Sequence, residues 1–178
     1  LFNVINGFHQ PSKGKVVFKG KNISRIETHK ICALGLARTF QVVKPLRRMT
    51  VLDNVVASAF LRAGSKAEAT RKALEILEFT DLRDDGDTLS KGLPLGKRKR
   101  LEIARALATG PELLLLDEPS VGLMPKLVDE VYAEIAKLKR EKFTIIIVDQ
   151  NVKKAIEEAF QKVKEIMASS EIEGFTPE

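Results

Sequence analysis

The residues in this sequence best placed to do chemistry are two adjacent carboxylates at the end of an apolar run. Four consecutive leucines, Leu113 to Leu116, are followed by Asp117, Glu118 and Pro119. A wholly apolar run fits a strand buried on both faces of a parallel sheet, and the carboxyl end of such a strand is where ligands bind in these sheets. There Asp117 can hold Mg2+ through water, and Glu118 can accept the proton of a water attacking a γ-phosphate. The alternative is that both acids cap the next helix. The leucine run argues against it, because no strand needs two adjacent acids at its buried edge for stability.

A second feature lies upstream, where Leu93-Pro94-Leu95-Gly96-Lys97 opens the segment RKRLEIARALATGPELLLLDEP. A glycine at a helix start lets backbone N–H groups approach an anion, and the helix dipole favours negative charge there. Taken alone this signal is weak, and its fixed distance from the acidic strand gives it weight. His9 and His29 lack neighbours with metal-ligand spacing and read as surface or capping residues. Cys32, the single cysteine, reads as a small core residue and excludes an internal disulfide framework.

The elements that must position these residues can be read from periodicity. Leu1 to Phe8 reads as the end of a helix, with Leu1, Val4, Ile5 and Phe8 on one face. Lys15 to Phe18 reads as a strand and Lys19-Gly20-Lys21-Asn22 as a turn, together a β-hairpin. A short helix from about Glu27 and the strand-like ARTFQ follow. Thr50, an N-cap with Asp53 three residues on, starts one helix, and a second covers Lys66 to Phe79. Further helices are expected over Leu95 to Thr109, Lys126 to Arg140 and Val152 to Met167, with apolar strands at Leu113 to Leu116 and Phe143 to Val148. Helices alternating with wholly apolar strands predict an α/β fold whose parallel sheet is covered on both faces.

Bulk composition narrows the function classes. The 178 residues are 44% hydrophobic and 30% charged, which suits one globular domain or a core with a small subdomain. No apolar run approaches the roughly 18 residues that span a bilayer. Work at a membrane would therefore go through a partner, and the cytoplasm is the expected address. The net charge of +6 is scattered, apart from Lys97-Arg98-Lys99-Arg100, which reads as a solvated helical face. With nine Phe and one Tyr there is little to stack bases on, so nucleic acid is not the expected partner. The first residue is Leu1 rather than Met, and further residues are expected ahead of it.

From Leu1 to about Ala159 the sequence resembles the nucleotide-binding domain of an ABC transporter, and most closely the ATP-binding subunits of branched-chain amino acid importers. The likeness rests on LFNVINGFHQPSKGKVVFKGKNI, GLARTFQ, MTVLDNVV, LPLGKRKRLEIARAL, LLLLDEPSVGL and IIIVDQNV, in the family's order and spacing. It implies a P-loop NTPase-like parallel sheet flanked by helices. The implied divisions are a helical subdomain over 50–92, a signature, Walker B and switch region over 93–150, and a C-terminal helix and polar tail over 151–178. It implies ATP and Mg2+ as cofactors and ATP hydrolysis that powers amino acid import. Gln41 falls on the Q-loop glutamine that touches the metal and the attacking water. Asp117 and Glu118 fall on the Walker B aspartate and the catalytic base, and Ser120 to Pro125 on the D-loop. Leu93, Leu95, Gly96 and Lys97 fall in the signature motif, which closes over a partner subunit's ATP. Gln150 takes the switch histidine's place. The implied partners are a second ATPase subunit in a head-to-tail dimer and integral membrane permease subunits, at the inner face of the cell membrane.

Four departures from the family pattern qualify this. Pro94 replaces the signature serine and offers neither hydroxyl nor N–H; a competing frame, Leu89-Ser90-Lys91-Gly92, has the serine but lies four residues too early relative to Arg100. Gln150 can hydrogen-bond a phosphate but carries no proton or charge. Met124 stands where the D-loop aspartate is expected. In the family a GxxxxGKS/T loop, preceded by a strand, ends just before LFNVINGF, and the 178 residues contain neither it nor the aromatic that stacks adenine. Three or four lost charge-assisted hydrogen bonds correspond to about 5 kcal/mol or more, so these residues alone are expected to bind ATP poorly. The alternative reading is an inactive remnant that at most contacts the membrane subunits. A DNA-maintenance ATPase of the same superfamily would need a long coiled coil between Gln41 and Leu93, where only about fifty residues stand.

Overall fold

The structure, a computed structural model, describes residues 1–40, 44–140 and 143–150, the side chains of 139 and 140 excepted. Gln41 and the helix expected over Val152 to Met167 lie outside the described residues.

The leucine run forms the middle strand of a three-stranded parallel sheet. Strand β3 (Leu36–Arg38) pairs with β4 (Leu113–Asp117), which pairs with β5 (Thr144–Val148). The registers are Leu36 to Leu113 and Leu113 to Thr144, so Asp117 sits opposite Val148 at the carboxyl edge. Leu114, Leu115 and Leu116 have no exposed surface, as expected for a strand covered on both faces. Burying each such side chain contributes roughly 1.5–3 kcal/mol. The same expectation fails for β5, where Ile146 and Val148 are exposed. That strand has a single neighbour among the described strands, and its residues alternate between a covered and an open face.

Helix α5 (Leu95–Ala108) joins two cores. One of its faces presents Leu101, Ala104 and Ala108 to a cluster with α3 (Val51–Ala59) and α4 (Lys66–Phe79), where alanines at 59, 69 and 73 let the helices approach closely. Its other face presents Ile103, Ala106 and Leu107 to β4 and to α6 (Pro125–Arg140), with Tyr132 and Ile135 buried there. Helix α3 starts on its expected cap, where Thr50 Oγ1 accepts from Asp53 N at 3.0 Å, and α4 starts in the same way, with Ser65 Oγ accepting from Glu68 N at 3.2 Å.

The amino-terminal part departs further from expectation. Helix α1 covers only Phe2–Ile5, and Phe2 is its buried residue, whereas Leu1 and Phe8 are exposed. The cause is Gly7, whose φ of +75° unwinds the chain before Phe8 can join the apolar face. A Cβ on Gly7 would lie 2.6 Å from the Ile26 carbonyl oxygen, so this turn requires glycine. The hairpin is present as β1 (Val17–Phe18) and β2 (Lys21–Asn22), paired antiparallel. Its turn is Lys19-Gly20, both at positive φ, so Lys21 and Asn22 are strand and not turn. Helix α2 (Thr28–Ala33) leads into β3 and fills the third cluster with Ile31, beside Phe2, Ile23 and Leu115.

Candidate active site at the carboxyl edge of the sheet

Strand β4 ends by delivering Asp117 and Glu118 side by side, and the chain then turns abruptly. Glu118 adopts φ +47°, a left-handed conformation that costs a residue with a side chain about 1–2 kcal/mol. Two bonds hold it there: its N–H donates to the Val148 carbonyl at 2.6 Å, and its own carbonyl accepts from Lys99 Nζ at 3.0 Å. Backbone strain of this kind, sustained by its surroundings, is common where a side chain must be aimed.

Asp117 is held by the neighbouring strand. Its Oδ2 accepts from Arg38 Nη2 at 2.6 Å, and its N–H donates to Thr39 Oγ1 at 3.2 Å. Arg38 is nearly buried, donates a second bond to Asn3 Oδ1 at 2.6 Å, and lies over the rings of Phe2 and Phe40 at 5.7 and 4.9 Å. The remaining Asp117 oxygen has no bond among the described residues. One carboxylate oxygen beside a second acid suits Mg2+, which keeps several waters and takes few protein ligands. Among the described residues no group of three or more His, Cys, Asp or Glu is arranged to hold a metal ion without further ligands.

The far strand supplies two more groups. Gln150 Nε2 lies 3.5 Å from Glu118 Oε1, a long contact that places the two expected catalytic side chains together. Asp149 accepts from Ser120 N at 2.9 Å and from Ser120 Oγ at 2.5 Å, which fixes the first residue of the Ser120–Pro125 segment. Burial and the Asp149 carboxylate together push the Tyr132 hydroxyl well above its usual range. Met124, in the same segment, is exposed.

The Leu93–Lys97 segment starts α5 with Pro94 at its N-cap. The Leu93 side chain is committed to the core shared with α3 and α4, and its N–H donates to the Ser90 carbonyl at 3.4 Å. Gly96 is buried against Leu127 of α6, and Gly122 lies beside Leu95, so the helix start abuts the Ser120–Leu127 stretch. Lys97 pairs with Asp85 at 2.8 Å, a half-exposed pair worth well under 1 kcal/mol. The basic run is not the solvated face its composition suggests. Lys99 is buried, and Arg100 pairs with Glu130 at 2.9 Å. Burial lowers the Lys99 ammonium below its usual range, while Glu102, Asp149, Glu118 and Asp117 oppose the shift.

Four residues of this edge escaped sequence reasoning: Arg38, Lys99, Glu102 and Asp149. Asp149 carried a usable signal, because it follows an apolar strand as Asp117 does. Glu102, nearly buried, accepts from the Phe40 N–H at 2.8 Å, and burial raises its carboxyl to about 7 against the bond from Phe40 and the charges of Lys99 and Arg105.

The family model described as ABC transporter matches residues 1–121. The high-affinity branched-chain amino acid transport ATP-binding protein BraF of Pseudomonas aeruginosa is 34% identical, over 86% of this chain and 66% of its own length. The probable branched-chain amino acid transport ATP-binding protein LivG of Archaeoglobus fulgidus is 34% identical, over 85% and 64%. LivG of Escherichia coli K12 is 30% identical, over the whole of this chain and 76% of its own. The chain thus spans just under two thirds of the first two relatives. Among solved structures, a nucleotide-free ATP-binding cassette from an ABC transporter superposes with a TM-score of 0.76 at 30% identity, over 88% of this chain and 67% of its own. A dimeric cassette in a post-hydrolysis state bound to ADP and phosphate gives 0.75 at 25% identity, over 86% and 69%.

Proposed function

The chain belongs to the ABC transporter family, and from that premise we propose that it forms the hydrolytic edge of an ATP-binding subunit that powers import of branched-chain amino acids. The observation that carries the reading is the pairing at the sheet edge: Asp117 and Glu118 leave one buried strand together, and Gln150 from the next strand reaches Glu118.

Each residue then has a defined task. Asp117, steadied by Arg38 and Thr39, would hold Mg2+ through water. Magnesium, when bound, neutralises charge on the transferring phosphoryl group. Glu118 takes the proton of the attacking water on its carboxylate, with its backbone fixed by Val148 and Lys99 so that the acceptor does not wander. Gln150 donates its amide to Glu118 or to the phosphate, and Asp149 holds Ser120 so that the following segment starts from a fixed point. Gln41, by its place in the family pattern, would contact the metal and the attacking water. Gly96, with the backbone of Leu93 and Leu95 and the Lys97 ammonium, faces a second subunit's nucleotide across a head-to-tail dimer. The helical unit over 50–92 faces permease subunits at the membrane, a placement supported by the exposed Phe60 and Leu61 at the end of α3. None of the helices among the described residues is long and apolar enough to cross a membrane itself.

The solute class is tested with a subunit carrying a GxxxxGKS/T loop ahead of Leu1, assembled with permease subunits in vesicles. Leucine, isoleucine or valine presented by a binding protein should stimulate MgATP hydrolysis. Stimulation only by unrelated solutes would overturn the assignment.

A further inference from the structure

Helix α5 grips the chain on both sides of Gln41. Glu102 accepts from the N–H of Phe40, the residue before Gln41, at 2.8 Å. One helical turn on, Arg105 Nη1 donates to the carbonyl of Lys44 at 3.2 Å, the residue after the 41–43 segment. The two side chains are neighbours of opposite charge at i and i+3 on one helix face, and both line a cavity of about 210 Å³ shared with β3, α2 and α3. A carboxylate is the group that can accept the amide at one end, and a guanidinium the group that can donate to the carbonyl at the other. Further along, Leu46 is fixed as well: its N–H donates to Asn54 Oδ1 at 2.8 Å, and its carbonyl accepts from Ser90 Oγ at 3.0 Å.

We propose that Glu102 and Arg105 are positioning residues, a two-pronged clamp on α5 that fixes Phe40 and Lys44, the residues flanking 41–43. The clamp links two parts of the machinery that have no covalent proximity. Its helix begins at Leu95, beside Gly96, so a ligand that shifts the start of α5 shifts its bonds to Phe40 and Lys44 as well. This coupling rests on the ATPase reading above, whereas the clamp itself rests on the two bonds.

The charge on Glu102 gives the clamp a handle. Facing it are Lys99 and Arg105 from its own helix, Arg38 and the Phe40 N–H from β3, and Asp117 from β4, with Cys32 of α2 and Ser58 of α3 across the cavity. Burial places its titration at about 7, so acidification turns a charge-assisted bond to Phe40 into a neutral one of roughly half the strength.

The test is amide-resolved NMR on the 178-residue chain between pH 5.5 and 8.5, followed by kinetics in a subunit that carries a phosphate loop. The Phe40 amide signal should titrate with a midpoint near 7, stay fixed in Glu102→Gln, and shift its midpoint upward in Arg105→Ala. In Glu102→Ala the Phe40 amide should exchange roughly ten- to a hundredfold faster while amides of β4 keep their rates. In the subunit, Glu102→Ala should lower kcat about tenfold or more with KM for MgATP nearly unchanged, and Glu102→Gln should recover most of the loss at pH 8. A Phe40 amide whose exchange is unchanged in Glu102→Ala, or whose signal moves alike with pH in wild type and in Glu102→Gln, overturns the clamp. So does exchange that accelerates equally in β4, which would mark a merely structural role. Normal NMR behaviour in a subunit that does not hydrolyse ATP would instead sink the ATPase reading and leave the clamp standing.

Discussion

Replacing Gly96 by alanine separates what the fold needs at that position from what a nucleotide would need. Gly96 is the second residue of α5, and its φ lies outside the left-handed region, so alanine fits the backbone. The added Cβ would meet Leu127 Cδ2 at 3.4 Å and Cδ1 at 3.6 Å. Those are the ends of a flexible, half-buried side chain, which can yield at a cost of a few tenths of a kcal/mol. Against this, alanine gains roughly 0.5–1 kcal/mol over glycine in a helix, less at the first turn. The net expectation is a chain as stable as wild type or slightly more so, with Tm unchanged or raised by about 1–3 °C at this size. An anion approaching the N–H groups would, however, meet the new methyl. In a subunit with a phosphate loop and Glu118→Gln, Gly96→Ala should therefore abolish the ATP-dependent dimer seen by gel filtration. A fall in Tm of more than about 5 °C would show that the glycine serves packing against α6. A dimer that persists would show that phosphate does not approach there.

Two further expectations concern stability. Asn54 is fully buried, bonding through Nδ2 to the carbonyls of Leu46 and Thr50 and through Oδ1 to the Leu46 N–H; Asn54→Ala should cost about 2–4 kcal/mol in urea titrations, and a loss under 1 kcal/mol would contradict this role. Glu102 has a folded-state titration at about 7, above its ordinary 4.5. Its contribution is therefore most favourable below about 4.5, declines as pH rises to about 7, and is flat beyond. The span is worth about 3 kcal/mol. Urea midpoints should fall from pH 5 to pH 8 in wild type and flatten in Glu102→Gln; a wild-type midpoint that rises over that window would refute the assignment.

What the sequence disclosed and what it hid divide along a physical line. The strand at Leu113 and the cap at Thr50 were legible because each is fixed by residues within one element. Helix α4 follows its apolar positions over the full range from Lys66 to Phe79. Lys99 was hidden inside a basic run because its partner, the Glu118 carbonyl, belongs to a distant turn. Arg38 pairs with a carboxylate 79 residues away, and no local pattern announces that. The left-handed turn at Glu118 was equally invisible, since the bond from its N–H to Val148 exists only once β4 and β5 are paired. The unequal burial of the two apolar strands has the same origin: β4 packs one face on Tyr132 and Ile135 of α6 and the other on Phe2 and Ile31, whereas β5 adds only Ile145 and Ile147 to the first of these clusters.

The most direct measurement is the rate of phosphate release from MgATP by a subunit carrying a GxxxxGKS/T loop ahead of Leu1, compared with the same protein bearing Glu118→Gln. Loss of a positioned general base should lower kcat by roughly a hundred- to ten-thousandfold while MgATP still binds. Turnover within about tenfold of wild type would remove Glu118 from the role of base and with it the proposed reading of the sheet edge.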